Sequence, residues 1–355
     1  MVLLPACLMF FACGGGGGGG TPAAGPARDL GTRATCFGDS ITVGVGASDN
    51  QFAYANVIAR RNGWTLTNLA QSGTELADQV LPIYSESVAE DANYFILAGF
   101  NDMRQFGTDN EALSSYRNGL SAAMAWLAIP EAVKTLATAD NVAYTGLWGP
   151  SPALAALGKS SAQQGATAVF SIDGSAIYIG TTAEFGGTGA FSVAVDNVVQ
   201  GTWSAASARL PASGFPYIPF LVRLSGLSAG RHTVVLTVTS AAGNVFFDWA
   251  AGLDPLPAVR PFVYLGNTLR MTAAGYTLTI NPGMPAKGSD AAVALYNDAA
   301  RSVCDALSAD GLHVLYVDAS ASYIPAADAS TLDEVHPNDQ GMAKIAAAFV
   351  TVMWR

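Results

Sequence analysis

The sequence predicts an α/β protein, a three-layer doubly wound parallel sheet interrupted by an antiparallel β-sandwich insert. Three observations predict it. From about residue 34 to 137, short apolar strands alternate with helix-length amphipathic stretches, the rhythm of a parallel sheet with helices on both faces. From about Val142 to Trp249 the apolar period drops to two and Gly, Ser and Thr turns multiply, the pattern of antiparallel strands. After Pro255-Leu256-Pro257 the strand–helix rhythm returns. The expected layout is a leader and Gly-rich linker over 1–29, an α/β unit in two parts over 30–140 and 256–355, and a jelly-roll-like sandwich over 141–255.

In chain order, Ala34–Phe37 reads as a buried strand ending at Gly38-Asp39-Ser40. Apolar residues at 52, 53, 55, 57 and 58 give a helix over Phe52–Arg61 one buried face. Thr65–Leu69 is a short strand, and Glu75 to about Ala89 has helical spacing. Tyr94–Ala98 (YFILA) is a continuous apolar run, as expected of a strand covered on both faces. Asn110 to about Ala137 is a long helical stretch interrupted near Pro130. In the insert, strands are expected at Ala168–Ile172, Ala176–Ile179, Phe191–Val195, Phe220–Leu224, Thr233–Thr239 and Val245–Trp249. Pro261–Leu265 is then a strand, Ala291–Ala309 a helix, Val314–Val317 a strand and Met342–Trp354 a closing helix.

Composition removes several functions. The chain has 355 residues, about two domains' worth. Half are apolar, enough for a sizeable core. The formal charge is −10, from 17 Lys+Arg against 27 Asp+Glu, and Arg60-Arg61 is the only basic pair. A polyphosphate would be repelled, which excludes a nucleic-acid partner. Three histidines, four cysteines and no CxxC or HExxH leave no metal site to expect, and no cofactor is implied. Cys36 and Cys304 sit in apolar stretches and read as free buried thiols.

Residues 2–12 form an apolar run of signal-peptide length, too short to span a bilayer. Ala12-Cys13 resembles a bacterial lipoprotein cleavage site, with Cys13 as the lipidated residue and membrane attachment through that lipid. Gly14–Gly20 would then be a flexible tether. A plain secretory signal is the alternative. Either way the expectation is export, to the periplasm, the outer membrane or the medium.

Four segments carry the chemistry. They are Phe37-Gly38-Asp39-Ser40-Ile41-Thr42, Asn68-Leu69-Ala70-Gln71-Ser72-Gly73, Gly99-Phe100-Asn101-Asp102, and Asp333-Glu334-Val335-His336-Pro337-Asn338. The first three fall at the carboxyl ends of expected parallel strands, where open sheets bind ligands. The fourth precedes the last helix. In order and placement the set resembles the SGNH (GDSL-type) hydrolase family, over the α/β portion and not the insert. The resemblance implies a flavodoxin-like sheet and ester hydrolysis by a Ser-His-Asp triad. Ser40 would be the nucleophile and His336 and Asp333 its partners. The oxyanion donors would be the Ser40 and Gly73 N–H groups and the Asn101 amide.

Residue chemistry agrees. A serine hydroxyl attacks only when a base takes its proton, and imidazole does this near neutral pH. A carboxylate three residues before His336 reaches the ring in one turn and fixes its tautomer. Glycine at 73 permits close backbone approach. Taken singly, Ser40, Gly73 and Asn101 could be turn and cap residues. His313 and His232 read as structural. Gly226-Leu227-Ser228-Ala229-Gly230 matches a nucleophile elbow, but a strand follows instead of the required helix, so Ser228 is a turn residue.

The insert loosely resembles carbohydrate-binding jelly rolls. Trp148, Tyr178, Phe185, Trp203 and Tyr217 could stack on a sugar, and Trp203, in a polar turn-like stretch, is the foremost candidate; core filling is the alternative for each. The expected function is an exported esterase cleaving short acyl, first of all acetyl, esters, with a polysaccharide or small-molecule ester as substrate. The alternatives are a lipase or lysophospholipase on longer chains, acyl transfer to another alcohol, or a glycan-binding surface lipoprotein with an idle site.

Overall fold

The computed structural model describes residues 30–354 apart from 212, 255 and 278–286. Cys13 and the glycine run lie outside the described residues.

A five-stranded parallel sheet runs in the order Val314–Val317, Phe262–Gly266, Ala92–Leu97, Arg33–Gly38, Thr65–Asn68. The apolar run around Tyr94 is its central strand, buried at every position. The polar strand Thr65–Asn68 is an edge. Alternation along Ala92–Leu97 feeds two cores. Tyr94 and Ile96 pack with Val80, Leu120 and Tyr296 from helices Leu76–Tyr84, Asn110–Ala128 and Asp290–Ala309. Phe95 and Leu97 pack with Ile58, Ile345 and Phe349 from helices Tyr54–Asn62 and Asp339–Met353.

Helix Asn110–Ala128 starts where Asp109 accepts the Ala112 N–H at 2.8 Å. It ends before Pro130, because the residue preceding proline is driven out of the helical region. The expected continuation to Ala137 is therefore corrected. Glu131–Val133 is one 3₁₀ turn, and Lys134–Leu136 is a strand paired with Trp249–Gly252. The helix expected to reach Ala89 stops at Tyr84.

The remaining strands build three further sheets. One has the order Val198–Ser204, Ala190–Val195, Arg231–Val238, Thr167–Asp173, Ala143–Thr145. In a second, Ile177–Phe185 pairs with Tyr217–Leu224 and Trp249–Gly252, and takes the two-residue strand Ala206–Ser207 in parallel. These two enclose a core with Phe170, Ile179, Phe191, Val222 and Leu236. The third is small: Val245–Phe247, Lys159–Ser161 and Gly149–Pro150. The strand expected over Val245–Trp249 is thus two strands. At Asp248 the chain leaves the small sheet and joins the second one.

The expected fold class is corrected accordingly. The layout combines a parallel sheet with several antiparallel ones, including a β-sandwich. It is not clearly a doubly wound SGNH fold interrupted by one insert. The cause is pairing between distant short segments, Lys134–Leu136 with Trp249–Gly252 and Lys159–Ser161 with Val245–Phe247, which local periodicity does not register.

Candidate active site

The strand Arg33–Gly38 ends in a turn that only glycine fits. Gly38 has φ +150, and a Cβ there would lie 2.3 Å from the Leu97 carbonyl oxygen and 2.4 Å from Thr42 Oγ1. Asp39 then caps the single-turn helix Ser40–Val43 by accepting the Ile41 N–H at 2.9 Å. Ser40 sits at the start of that turn, 8% exposed.

His336 comes to it from the other end of the chain. Its Nε2 lies 2.8 Å from Ser40 Oγ, and its Nδ1 lies 2.6 Å from Asp333 Oδ2. Asp333 can only accept when ionised, so Nδ1 donates and Nε2 is left to accept from the serine. Asp333 Oδ1 also accepts the N–H groups of Val335 and His336, each at 3.0 Å. Burial opposes the charge on Asp333, but the bonds from the His336 ring and from these two N–H groups prevail and hold its carboxyl below the usual range. The loop is fixed from outside. Glu334 adopts φ +57, and its carboxylate accepts from Thr272 Oγ1 at 2.7 Å. The Ser330 N–H donates to the His336 carbonyl at 2.6 Å.

Gly73 has φ +80, with open space where a Cβ would stand. Asn101 donates from Nδ2 to the Thr74 carbonyl at 2.9 Å. An amide nitrogen carries two N–H groups, so this bond orients the second. Gly73 and Asn101 therefore meet at Thr74, the first by sequence and the second by hydrogen bond. Gln79 ties that loop to the strand that leads to Ser40: its Oε1 accepts the Gly38 N–H at 3.2 Å and its Nε2 donates to Thr74 Oγ1 at 2.7 Å. Asn68 Nδ2 donates to the Thr42 carbonyl at 2.9 Å. The Asp102 carboxylate accepts the Leu76 N–H. Burial pushes the carboxyls of Asp39 and Asp102 up to about 7.

Gln79 was not singled out from sequence. Its only signal is a polar residue on the apolar face of a helix. The site opens to solvent, with the His336 and Asp333 side chains 19% and 33% exposed. Among the described residues, no group of three or more His, Cys, Asp or Glu is placed to hold a metal, and no helix is long and apolar enough to cross a membrane.

The other candidates stand apart from Ser40. Trp203 lies on the edge strand Val198–Ser204, half-buried, with its ring stacked on Phe191 at 5.9 Å. Tyr178 is fully buried and bonded to Asp310, which removes it as a sugar platform. Phe185 is exposed, while Trp148 and Tyr217 are half-buried. Ser228 lies in the turn between Tyr217–Leu224 and Arg231–Val238. His313 stacks on Phe262 at 4.6 Å, and His232 is bonded to Asp196. Cys36 and Cys304 are buried free thiols.

No protein-family model matches the chain, and no curated protein matches it. Among solved structures, a two-domain esterase active on acetylated mannans, co-crystallised with mannopentaose, is similar with a TM-score of 0.34 and 10% identity, over 62% of this chain and 90% of that one. A family 35 carbohydrate-binding module from an environmental isolate is similar with a TM-score of 0.27 and 17% identity, over 33% of this chain and 89% of that one. A Clostridium stercorarium module in complex with cellobiose gives a TM-score of 0.26 and 19% identity, over 35% of this chain and 92% of that one. At such scores the likenesses carry no weight on activity, which the side-chain geometry must bear.

Proposed function

We propose that this chain is a serine ester hydrolase of the SGNH type that cleaves short acyl, first of all acetyl, esters on carbohydrates. The observation that carries the reading is the unbroken chain from Asp333 through His336 to Ser40, with links of 2.6 and 2.8 Å. Ser40 Oγ attacks the ester carbonyl while His336 Nε2 takes its proton. The tetrahedral oxyanion is held by the Ser40 and Gly73 N–H groups and the Asn101 amide. The intermediate collapses, the C–O bond to the alcohol breaks, and the alcohol leaves with the proton from His336. Water then repeats the sequence on the acyl-enzyme and releases the acid. Asp333 keeps the ring in the correct tautomer and stabilises its charged form.

The short-acyl reading rests on the expected export and on the sandwich insert. A carbohydrate alcohol, with the sandwich and Trp203 as its binding unit, is read from sequence, as are export and the lipid on Cys13. One observation favours the longer-chain alternative: Leu332, directly before Asp333, is 92% exposed, an apolar group at the rim of the site.

The test is hydrolysis of p-nitrophenyl esters from acetate to long chains, with Ser40→Ala alongside. Acetate is expected to be cleaved fastest, and the variant to lose nearly all turnover. Fastest cleavage of long chains would replace this reading with a lipase. A wild-type protein as inert as Ser40→Ala on every ester would remove it.

A further inference from the structure

We propose that Asp102 is a positioning residue for the oxyanion site: its carboxylate clamps the backbone that follows Gly73 and so aims the donors that meet the oxyanion. The inference rests on the ester-hydrolase reading of the Ser40 group. Two adjacent side chains of the helix Phe100–Phe106 grip one loop at two points. Asn101 donates to the Thr74 carbonyl at 2.9 Å. Asp102 accepts the Leu76 N–H, at 3.1 Å on Oδ2 and 3.3 Å on Oδ1. Gly73 lies just before this double grip at φ +80. With no side chain, its peptide is free to rotate unless its neighbours are held. Oxyanion donors work because they are aimed before the reaction begins, so a loop free to turn loses their benefit.

The grip has a fixed base. Gly99 starts the helix at φ +108, and a Cβ there would lie 2.8 Å from the Tyr116 ring. The Tyr116 hydroxyl donates to the Ala98 carbonyl at 3.2 Å. Packing therefore sets where Asn101 and Asp102 begin.

Glu75 and Asp78 form a reciprocal capping box at the start of the helix Leu76–Tyr84, which serves the Glu75 and Asp78 N–H groups and leaves the Leu76 N–H to Asp102. Asp102 is a further carboxylate at the same place, 6% exposed, with Asp78 and Asp39 near enough to raise its carboxyl beyond the effect of burial. Strongly shifted groups of this kind gather at working sites.

The experiment uses the full chain with p-nitrophenyl acetate, comparing wild type, Asp102→Ala and Asp102→Asn. Asparagine keeps an acceptor for the Leu76 N–H, whereas alanine does not. Asp102→Ala is expected to lower kcat by roughly 10²-fold, the loss typical of an oxyanion donor, with KM little changed. Affinity for a boronic acid, which forms an anionic tetrahedral adduct on serine, should fall by the same factor. Asp102→Asn should retain most of the wild-type kcat and melt no lower than wild type. If Asp102→Ala does not fold, Asp102→Leu, of greater bulk and also without an acceptor, replaces it. Wild-type kcat and boronate affinity in the alanine or leucine variant would overturn the inference, as would equal losses in the asparagine variant. A wild type that hydrolyses no ester would instead overturn the esterase reading on which the inference rests.

Discussion

Gly46 shows how a residue with no chemistry of its own governs the proposed catalytic group, His336. It has φ +94, and a Cβ there would lie 2.5 Å from the Pro337 carbonyl oxygen and 2.8 Å from His336 Cβ. Alanine would have to push the His336 loop away from Ser40. A displacement of about 1 Å can cost ~10² in rate, so Gly46→Ala is expected to lower kcat by about that factor while circular dichroism stays native. Undiminished turnover would show that the loop gives way without moving the imidazole. Ser40, Asp333 and His336 were legible in the sequence because each lies in a compact motif and no other histidine has a carboxylate and a serine block to match. Gly46 and Gln79 were not. The first acts through a contact with a segment some 290 residues away, the second through bonds to Gly38 and Thr74, and no local pattern encodes either.

At the scale of the element, the sandwich carries a pH-sensitive clamp. The hairpin between Ala190–Val195 and Val198–Ser204 turns at Asp196 and Asn197, both with positive φ, as a type I′ turn requires. His232 secures that turn from the next strand. Its Nδ1 lies 2.6 Å from Asp196 Oδ2 and its Nε2 lies 2.8 Å from the Ser228 carbonyl. Both partners accept, so the charged ring, with an N–H on each nitrogen, is the form that satisfies both. The bond to Asp196, then that to Ser228, raises the His232 pKa above its ordinary value. A raised histidine pKa stabilises the fold fully below the unfolded value of about 6.5, and the contribution is lost as pH rises through the folded value. The urea midpoint should therefore fall from pH 6 to pH 8, and in His232→Asn that part of the fall should vanish. An identical pH profile in wild type and variant would remove the clamp. Strand alternation made Arg231–Val238 and Ala190–Val195 visible, and the YFIL run made the central parallel strand visible. The two- and three-residue strands at Lys134, Gly149 and Lys159 were hidden, because segments that short have no period and exist only through distant pairing.

Across the whole molecule, the decisive feature is a core that does not respect the boundary between the sheets. Trp249 and Tyr178, on strands of an antiparallel sheet, belong to the same apolar cluster as Tyr84, Trp126 and Leu120 on helices beside the parallel sheet. The Trp126 and Trp249 rings are 5.7 Å apart, Tyr84 and Trp126 4.9 Å. The Lys134 ammonium stands 3.8 Å from the centre of the Trp126 ring, with burial pulling its pKa down to about 8 against the opposing pull of Glu131. Two units joined by a shared core cannot unfold separately without exposing that core, so the described chain is expected to melt in one cooperative step. Trp249→Ala should cost ~3–5 kcal/mol, as for large-to-small changes in cores. It should lower the midpoint seen by near-UV and by far-UV circular dichroism together. Gly180 lies so close that a Cβ would stand 2.1 Å from Trp249 Nε1, so the ring fills the space that the glycine leaves open. Two transitions, with only one of them moved by Trp249→Ala, would mean that the sandwich and the parallel sheet are held by separate cores and that the aromatic seam is incidental to both.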